Sequence, residues 1–201
     1  MSVHLARRLI RVALSYGWVV ILAGSLGANV YLARRVIGAH EAREPETVAV
    51  GTRLPPTGFR WLGHDTRRTI DYAAHTAGTI VYVFSPQCGW CWRNEPNLVA
   101  LRACALRHRY GFEVVALISD GMSNYFAPES PPYDVLVDDS QQFRRATQIG
   151  GTPTTILVSA DGLARAVWLG AYMGDTLKEI SARFSCSLPG VRDARHSGQR
   201  K

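Results

Sequence analysis

Cys88-Gly89-Trp90-Cys91, two cysteines with two residues between them, is the part of this chain whose residue types and spacing best suit chemistry. The pair follows an apolar, strand-forming run from Thr79 to Phe84 and opens a segment of helical periodicity. At the first turn of a helix, unpaired backbone N–H groups and the positive end of the dipole stabilise a thiolate on Cys88. A thiolate attacks a disulfide and a thiol barely does, so this placement points to thiol–disulfide exchange. Half of a zinc site has the same spacing. Here no second C-x-x-C and no paired histidine follows, and the remaining cysteines, Cys104 and Cys186, stand alone. A dithiol redox site is therefore the preferred reading, with neither a metal nor a cofactor expected beyond the Cys88–Cys91 pair.

The rest of the chain must carry and position that pair. Its 201 residues suffice for one ordinary domain and an appendage, and 47% hydrophobic content is normal for a packed core. The net charge of +7 comes almost entirely from arginine, Lys178 and Lys201 being the only lysines. The arginines are scattered and no basic patch is interleaved with aromatics, which argues against a nucleic-acid partner. Four cysteines are too few for a disulfide scaffold and fit one working pair with at most one structural bridge.

The N-terminal region reads as a membrane anchor. After Arg7, Arg8 and Arg11, residues 12–33 carry no charge and end at Arg34 and Arg35. At about 1.5 Å per residue such a segment spans a bilayer core. A cleavable signal peptide is the alternative, but its apolar stretch is usually only about 7–15 residues long. Residues 1–11 then form a cytoplasmic arm and 34–47 a polar linker. The soluble domain occupies 48–186, and 187–201 is a basic tail expected to be disordered.

Within the domain, Phe59–Leu62 reads as a short strand, Thr79–Ser85 and Phe112–Ile118 as buried strands, and Val135–Val137 as a brief one. Gly89 to about Arg109 reads as a helix with Leu98, Leu101, Ala105 and Leu106 on one face. A short helix is expected over Asp120–Phe126, and another over Ser140–Ile149 with the serine as its cap. Asp161-Gly162 sits between two apolar runs, Thr154–Ser159 and Leu163–Leu169, which signals a hairpin. Asp175–Phe184 closes the domain as a helix. The order β-α-β-α-β-β-α with buried strands predicts an α/β fold, a central mixed sheet flanked by helices on both faces.

These pieces resemble the thioredoxin superfamily, and within it the membrane-anchored TlpA/ResA type. The resemblance rests on Val50-Gly51-x-x-Leu54-Pro55, on Cys88-Gly89-Trp90-Cys91 with Arg93 and Pro96 behind it, and on Gly151-Thr152-Pro153-Thr154 before the hairpin. It extends over about Val48 to Phe184. The chain departs from the pattern at Gln87, where relatives often carry tryptophan. At Asn94 many reductants of this type have an acid, which here stands one position on, at Glu95. Tyr82-Val83-Phe84 lacks the buried strand acid of thioredoxin.

The resemblance implies a thioredoxin-like fold behind a transmembrane helix, and an anchored thiol–disulfide oxidoreductase in the bacterial inner membrane with its domain in the periplasm. Cys88 attacks a client disulfide and Cys91 resolves the mixed disulfide. Gly89 and Trp90 tune the potential between them and are candidate substrate-binding residues, with Trp90 either contacting substrate or packing. Thr152 faces the cysteines across a cis bond to Pro153, where an extended client segment pairs with it. Glu95 is a candidate proton relay to Cys91, against the plainer reading of a solvated helix charge. Cys104 and Cys186 fall at helix ends remote from the redox pair, either as a structural disulfide or with Cys104 a buried thiol. The implied partners are disulfide-bearing clients, such as apocytochrome c or copper-site proteins, and a membrane electron donor. Three alternatives stand beside the reductant. One is a disulfide oxidase or isomerase. Another is a thiol peroxidase, whose usual proline and threonine are here Val81 and Ser85. The third is a Cu(I) metallochaperone.

Overall fold

The computed structural model describes residues 16–19, 21–35, 47–117 and 132–191. The expected N-terminal arm, most of the linker, the helix over 120–126 and the tail beyond 191 lie outside them. The chain divides into two compact units, Met1–Glu44 and Pro45–Lys201. In the first, helix α1 (Tyr16–Arg35) has a mean hydropathy of 1.4 and is long and apolar enough to cross a membrane.

The second unit is built on a seven-stranded sheet. In chain order its strands are β1 (Gly58–Trp61), β2 (Arg67–Thr69), β3 (Thr79–Phe84), β4 (Gly111–Ala116), β5 (Val135–Val137), β6 (Thr154–Val158) and β7 (Ala164–Leu169). Across the sheet they run β2-β1-β5-β4-β3-β6-β7. β3, β4 and β5 are mutually parallel, while β6 runs antiparallel beside β3 and β7 antiparallel beside β6. The helices are α2 (Gly89–Arg107), α3 (Gln142–Thr147) and α4 (Gly174–Phe184).

All six residues of β3 are buried, which its unbroken Thr-Ile-Val-Tyr-Val-Phe sequence requires of a strand covered on both faces. Successive side chains alternate between the two cores. Ile80, Tyr82 and Phe84 pack with Leu98 and Leu101 of α2 and Ile180 and Phe184 of α4. Val81 and Val83 pack on the opposite face with Phe59 of β1 and Phe143 of α3. The mixed sheet with helices on both faces is the architecture that the strand–helix order predicted.

Three local readings are corrected. Leu106 is 54% exposed, and Cys104 takes a place in the core with Leu101 and Ala105. The helix expected over Ser140–Ile149 is only six residues long, because Gln141 and Gln148 both adopt left-handed backbone at its ends. Its first N–H groups are capped by Asp138, whose carboxylate accepts from Phe143 N (3.2 Å) and Arg144 N (2.9 Å), and not by Ser140. The Asp161-Gly162 hairpin forms as expected, with Gly162 at φ +79°, a conformation that glycine adopts without strain.

Candidate active site

Strand β3 ends at the foot of α2 and delivers Cys88 to the helix N-cap, with φ −86° and ψ 107°. In that extended conformation its sulfur turns back over the first turn and accepts the N–H of Cys91 at 3.2 Å. A donor aimed at the sulfur from a helix start suits a sulfur that bears negative charge. From the other side, the Cys88 thiol donates to the backbone carbonyl of Thr152 at 3.3 Å. The Thr152–Pro153 peptide bond is cis. Sequence positions 64 apart thus meet at one sulfur.

The two cysteines are unlike. Cys88 is half-buried and Cys91 is fully buried, and both are free thiols. Burial pushes the Cys91 thiol well above the ordinary range, and the adjacent Cys88 sulfur pushes it further. Burial thus favours the protonated form of Cys91, and Cys88 is the one of the two sulfurs that reaches the surface.

Around them the surface is shaped by a few residues. Trp90 is 43% exposed, so its bulk is displayed and not packed in the core. The Arg93 guanidinium lies 5.0 Å from its ring centroid. Trp90, Thr152, Pro153, Leu169 and Met173 line a groove of about 290 Å³. Behind the motif, the indole N–H of Trp92 donates to Pro86 O at 3.1 Å and ties the strand–helix turn to the helix. Pro96 lies within α2, whose remaining residues continue the helix to Arg107.

Glu95 and its neighbour Asn94 have different surroundings. Glu95 sits one turn beyond Cys91, and its carboxyl is raised by burial and bonded to the Tyr133 hydroxyl. Asn94 is completely buried. Its Oδ1 accepts from the backbone N–H of Tyr172 (2.9 Å) and from Asn97 Nδ2 (3.0 Å), while its own amide donates to Tyr82 Oη (3.2 Å). Asn97 Oδ1 in turn accepts the N–H of Gly190 at 2.7 Å. The sequence reading missed this structural pair of asparagines. Their i, i+3 spacing on the apolar face of α2 is the signal that could have shown it.

At the far end of α2, Cys104 is bonded to Cys186, with Cα atoms 6.0 Å apart. Both are buried, and the bridge joins the last turn of α2 to the residues just after α4.

The arrangement of a parallel β3-β4-β5 core with an antiparallel β6-β7 hairpin has counterparts among solved structures. The thioredoxin domain of a thiol-disulfide oxidoreductase from Bacteroides vulgatus is 18% identical with a TM-score of 0.56, covering 69% of this chain and 99% of that one. The fold is thioredoxin-like. A thiol:disulfide interchange protein from Bacteroides sp. superposes on this thioredoxin-like chain at 17% identity and a TM-score of 0.55, covering 77% of this chain and 100% of that one. StoA from Bacillus subtilis does so at 14% identity and 0.52, over 64% and 98%. No family model matches the sequence, and no curated protein matches it.

Proposed function

We propose that this chain is a membrane-anchored, extracytoplasmic thiol–disulfide oxidoreductase that reduces disulfides in client proteins. The observation that carries the reading is Cys88 itself. It is half-buried at a helix start, receives the Cys91 N–H, and faces the Thr152 carbonyl beside a cis-proline. Solved proteins of the same fold are titled thiol-disulfide oxidoreductase and thiol:disulfide interchange protein, which supports the same chemistry here. Helix α1 supports the anchor by its length and hydropathy.

In the forward step the Cys88 thiolate attacks one sulfur of a client disulfide. A Cys88–client bond forms, the client S–S bond breaks, and the other client sulfur leaves as a thiolate. Cys91 then loses its proton and attacks Cys88 Sγ. The Cys88–Cys91 disulfide forms, the second client sulfur is released, and two electrons have passed to the client. Thr152 holds the client segment by its backbone, and Trp90, Gly89 and Pro153 form the surface it lies against. A membrane electron donor returns the pair to the dithiol form. Clients of the apocytochrome c or copper-site kind fit an extracytoplasmic reductant.

The reduction potential of the Cys88–Cys91 pair tests the direction. A value near about −270 mV is expected for a reductant, whereas one near about −120 mV would make the protein an oxidant and overturn the assigned direction.

The Cys91 proton needs an acceptor, and Glu95 is assigned that role from its place one turn along α2. Glu95→Gln is expected to slow the resolving step by about tenfold or more, read as accumulation of the mixed disulfide in rapid-quench experiments. An unchanged resolution rate would reduce Glu95 to a helix charge anchored by Tyr133.

A further inference from the structure

On the other side of Thr152 from the Trp90 groove lies a second recess, of about 250 Å³, to which no role has been given above. Ser85, Gln87, Arg144, Gly150, Gly151 and Thr152 line it. The two recesses share Thr152, the residue whose carbonyl holds the Cys88 thiol. A client segment crossing Thr152 with its cysteine at Cys88 therefore meets one recess on each chain side of that cysteine.

The recesses differ in chemistry. The Trp90 side offers indole, proline, leucine and methionine surface. The other side includes Leu117 and Ile149 but adds a hydroxyl at Ser85, an amide at Gln87 and one residue of formal charge, Arg144. Arg144 is exposed, and among the described residues no carboxylate pairs with its side chain. The nearby acid, Asp138, is 1% exposed and is committed to the backbone N–H groups of Phe143 and Arg144. Among the described residues the recess thus carries a positive charge that no ion pair compensates, and complementary charge is what steers and selects a partner.

Building on the oxidoreductase reading, we infer that the recess selects clients with an acidic side chain on one side of the target cysteine, which Arg144 pairs with while an apolar side chain fills the Trp90 groove. The occupant is an extended polypeptide segment of the pattern acidic–cysteine–apolar, in one chain direction.

The test uses the full chain in detergent, with its cysteine pair reduced. The probes are short peptides with a single cysteine held as a mixed disulfide with thionitrobenzoate. Each has leucine on one side of the cysteine and Glu, Gln or Lys on the other, in both orders. In one order the Glu peptide is expected to exceed the Gln peptide by about fivefold in kcat/KM, the range of an exposed ion pair, with Lys lower still. The ratio is expected to shrink towards one at about 0.5 M salt. Arg144→Gln should erase the Glu-to-Gln ratio, and Arg144→Glu should reverse the preference in favour of Lys, which a misfolded variant could not do. Equal Glu and Gln rates in both orders, with every peptide reduced, would overturn the charge selection and leave the oxidoreductase reading standing. If no peptide is reduced, the oxidoreductase reading falls, and the selection with it.

Discussion

Cys88→Ser is expected to abolish insulin-disulfide reduction, with a loss of at least about a thousandfold, while Cys91→Ser should hold the client as a stable mixed disulfide. The two variants fail differently because the two sulfurs are placed differently. A serine at 88 keeps the N-cap hydrogen bond with the Cys91 N–H, so the helix start should survive. Its hydroxyl, however, stays protonated and cannot attack a disulfide. The Cys91 sulfur that remains is fully buried, and burial favours its protonated form as well. Cys91→Ser leaves the attacking sulfur in place and removes only the resolving one, so the reaction stops halfway. Non-reducing gels of each variant incubated with an oxidised client separate the cases: a covalent adduct for Cys91→Ser and none for Cys88→Ser. Residual insulin reduction in Cys88→Ser, or an adduct formed through Cys91, would refute this assignment of roles.

Removal of the Cys104–Cys186 bond should cost about 4 kcal/mol of stability. The two cysteines are 82 positions apart, and cross-linking so long a loop removes much of the freedom of the unfolded chain. Both side chains are buried between α2 and α4, so a Cys104→Ala, Cys186→Ala double variant loses some packing in addition. With a urea slope of about 2 kcal/mol per molar, the midpoint should fall by about 2 M at unchanged slope. A fall of less than about 0.5 M would show that the bridge constrains little that the surrounding core does not already hold. Insulin reduction by the folded double variant should match the parent, because this pair stands at the other end of α2.

The Cys88–Cys91 motif was legible because its parts are local. The C-x-x-C spacing, the apolar run of β3 before it and the Asp-Gly hairpin each carry their signal within a few residues. What was missed depends on distant partners or on charge. Asn94 and Asn97 looked like ordinary helix polar residues, yet the groups they satisfy lie 78 and 93 positions away. Strand β2 has the sequence Arg-Arg-Thr, shows no hydrophobic alternation, and exists as a three-residue edge held by β1. Such a charged edge is a common way to keep a sheet from pairing with other chains. Asp138 escaped notice as a cap because Ser140 stands nearer to the helix. The Arg144 recess joins three separate stretches of chain that only the fold brings together.

Helix α2 carries one sulfur couple at its start and another in its last turn. Cys91 and Cys104 are 13 positions apart, about 20 Å along the helix axis. At that distance neither couple can exchange directly with the other, so the helix behaves as an insulator between two terminals of opposite polarity. On the proposed reading, the protein is oxidised once, at the Cys104 end, to complete its structure. It is then reduced again after each turnover at the Cys88 end. The compartment that houses it must accordingly supply a disulfide-forming route during maturation and a separate source of electrons afterwards. The donor that recharges Cys88–Cys91 must discriminate between the two bonds, and the burial of Cys104 and Cys186 provides that discrimination without any recognition element of its own.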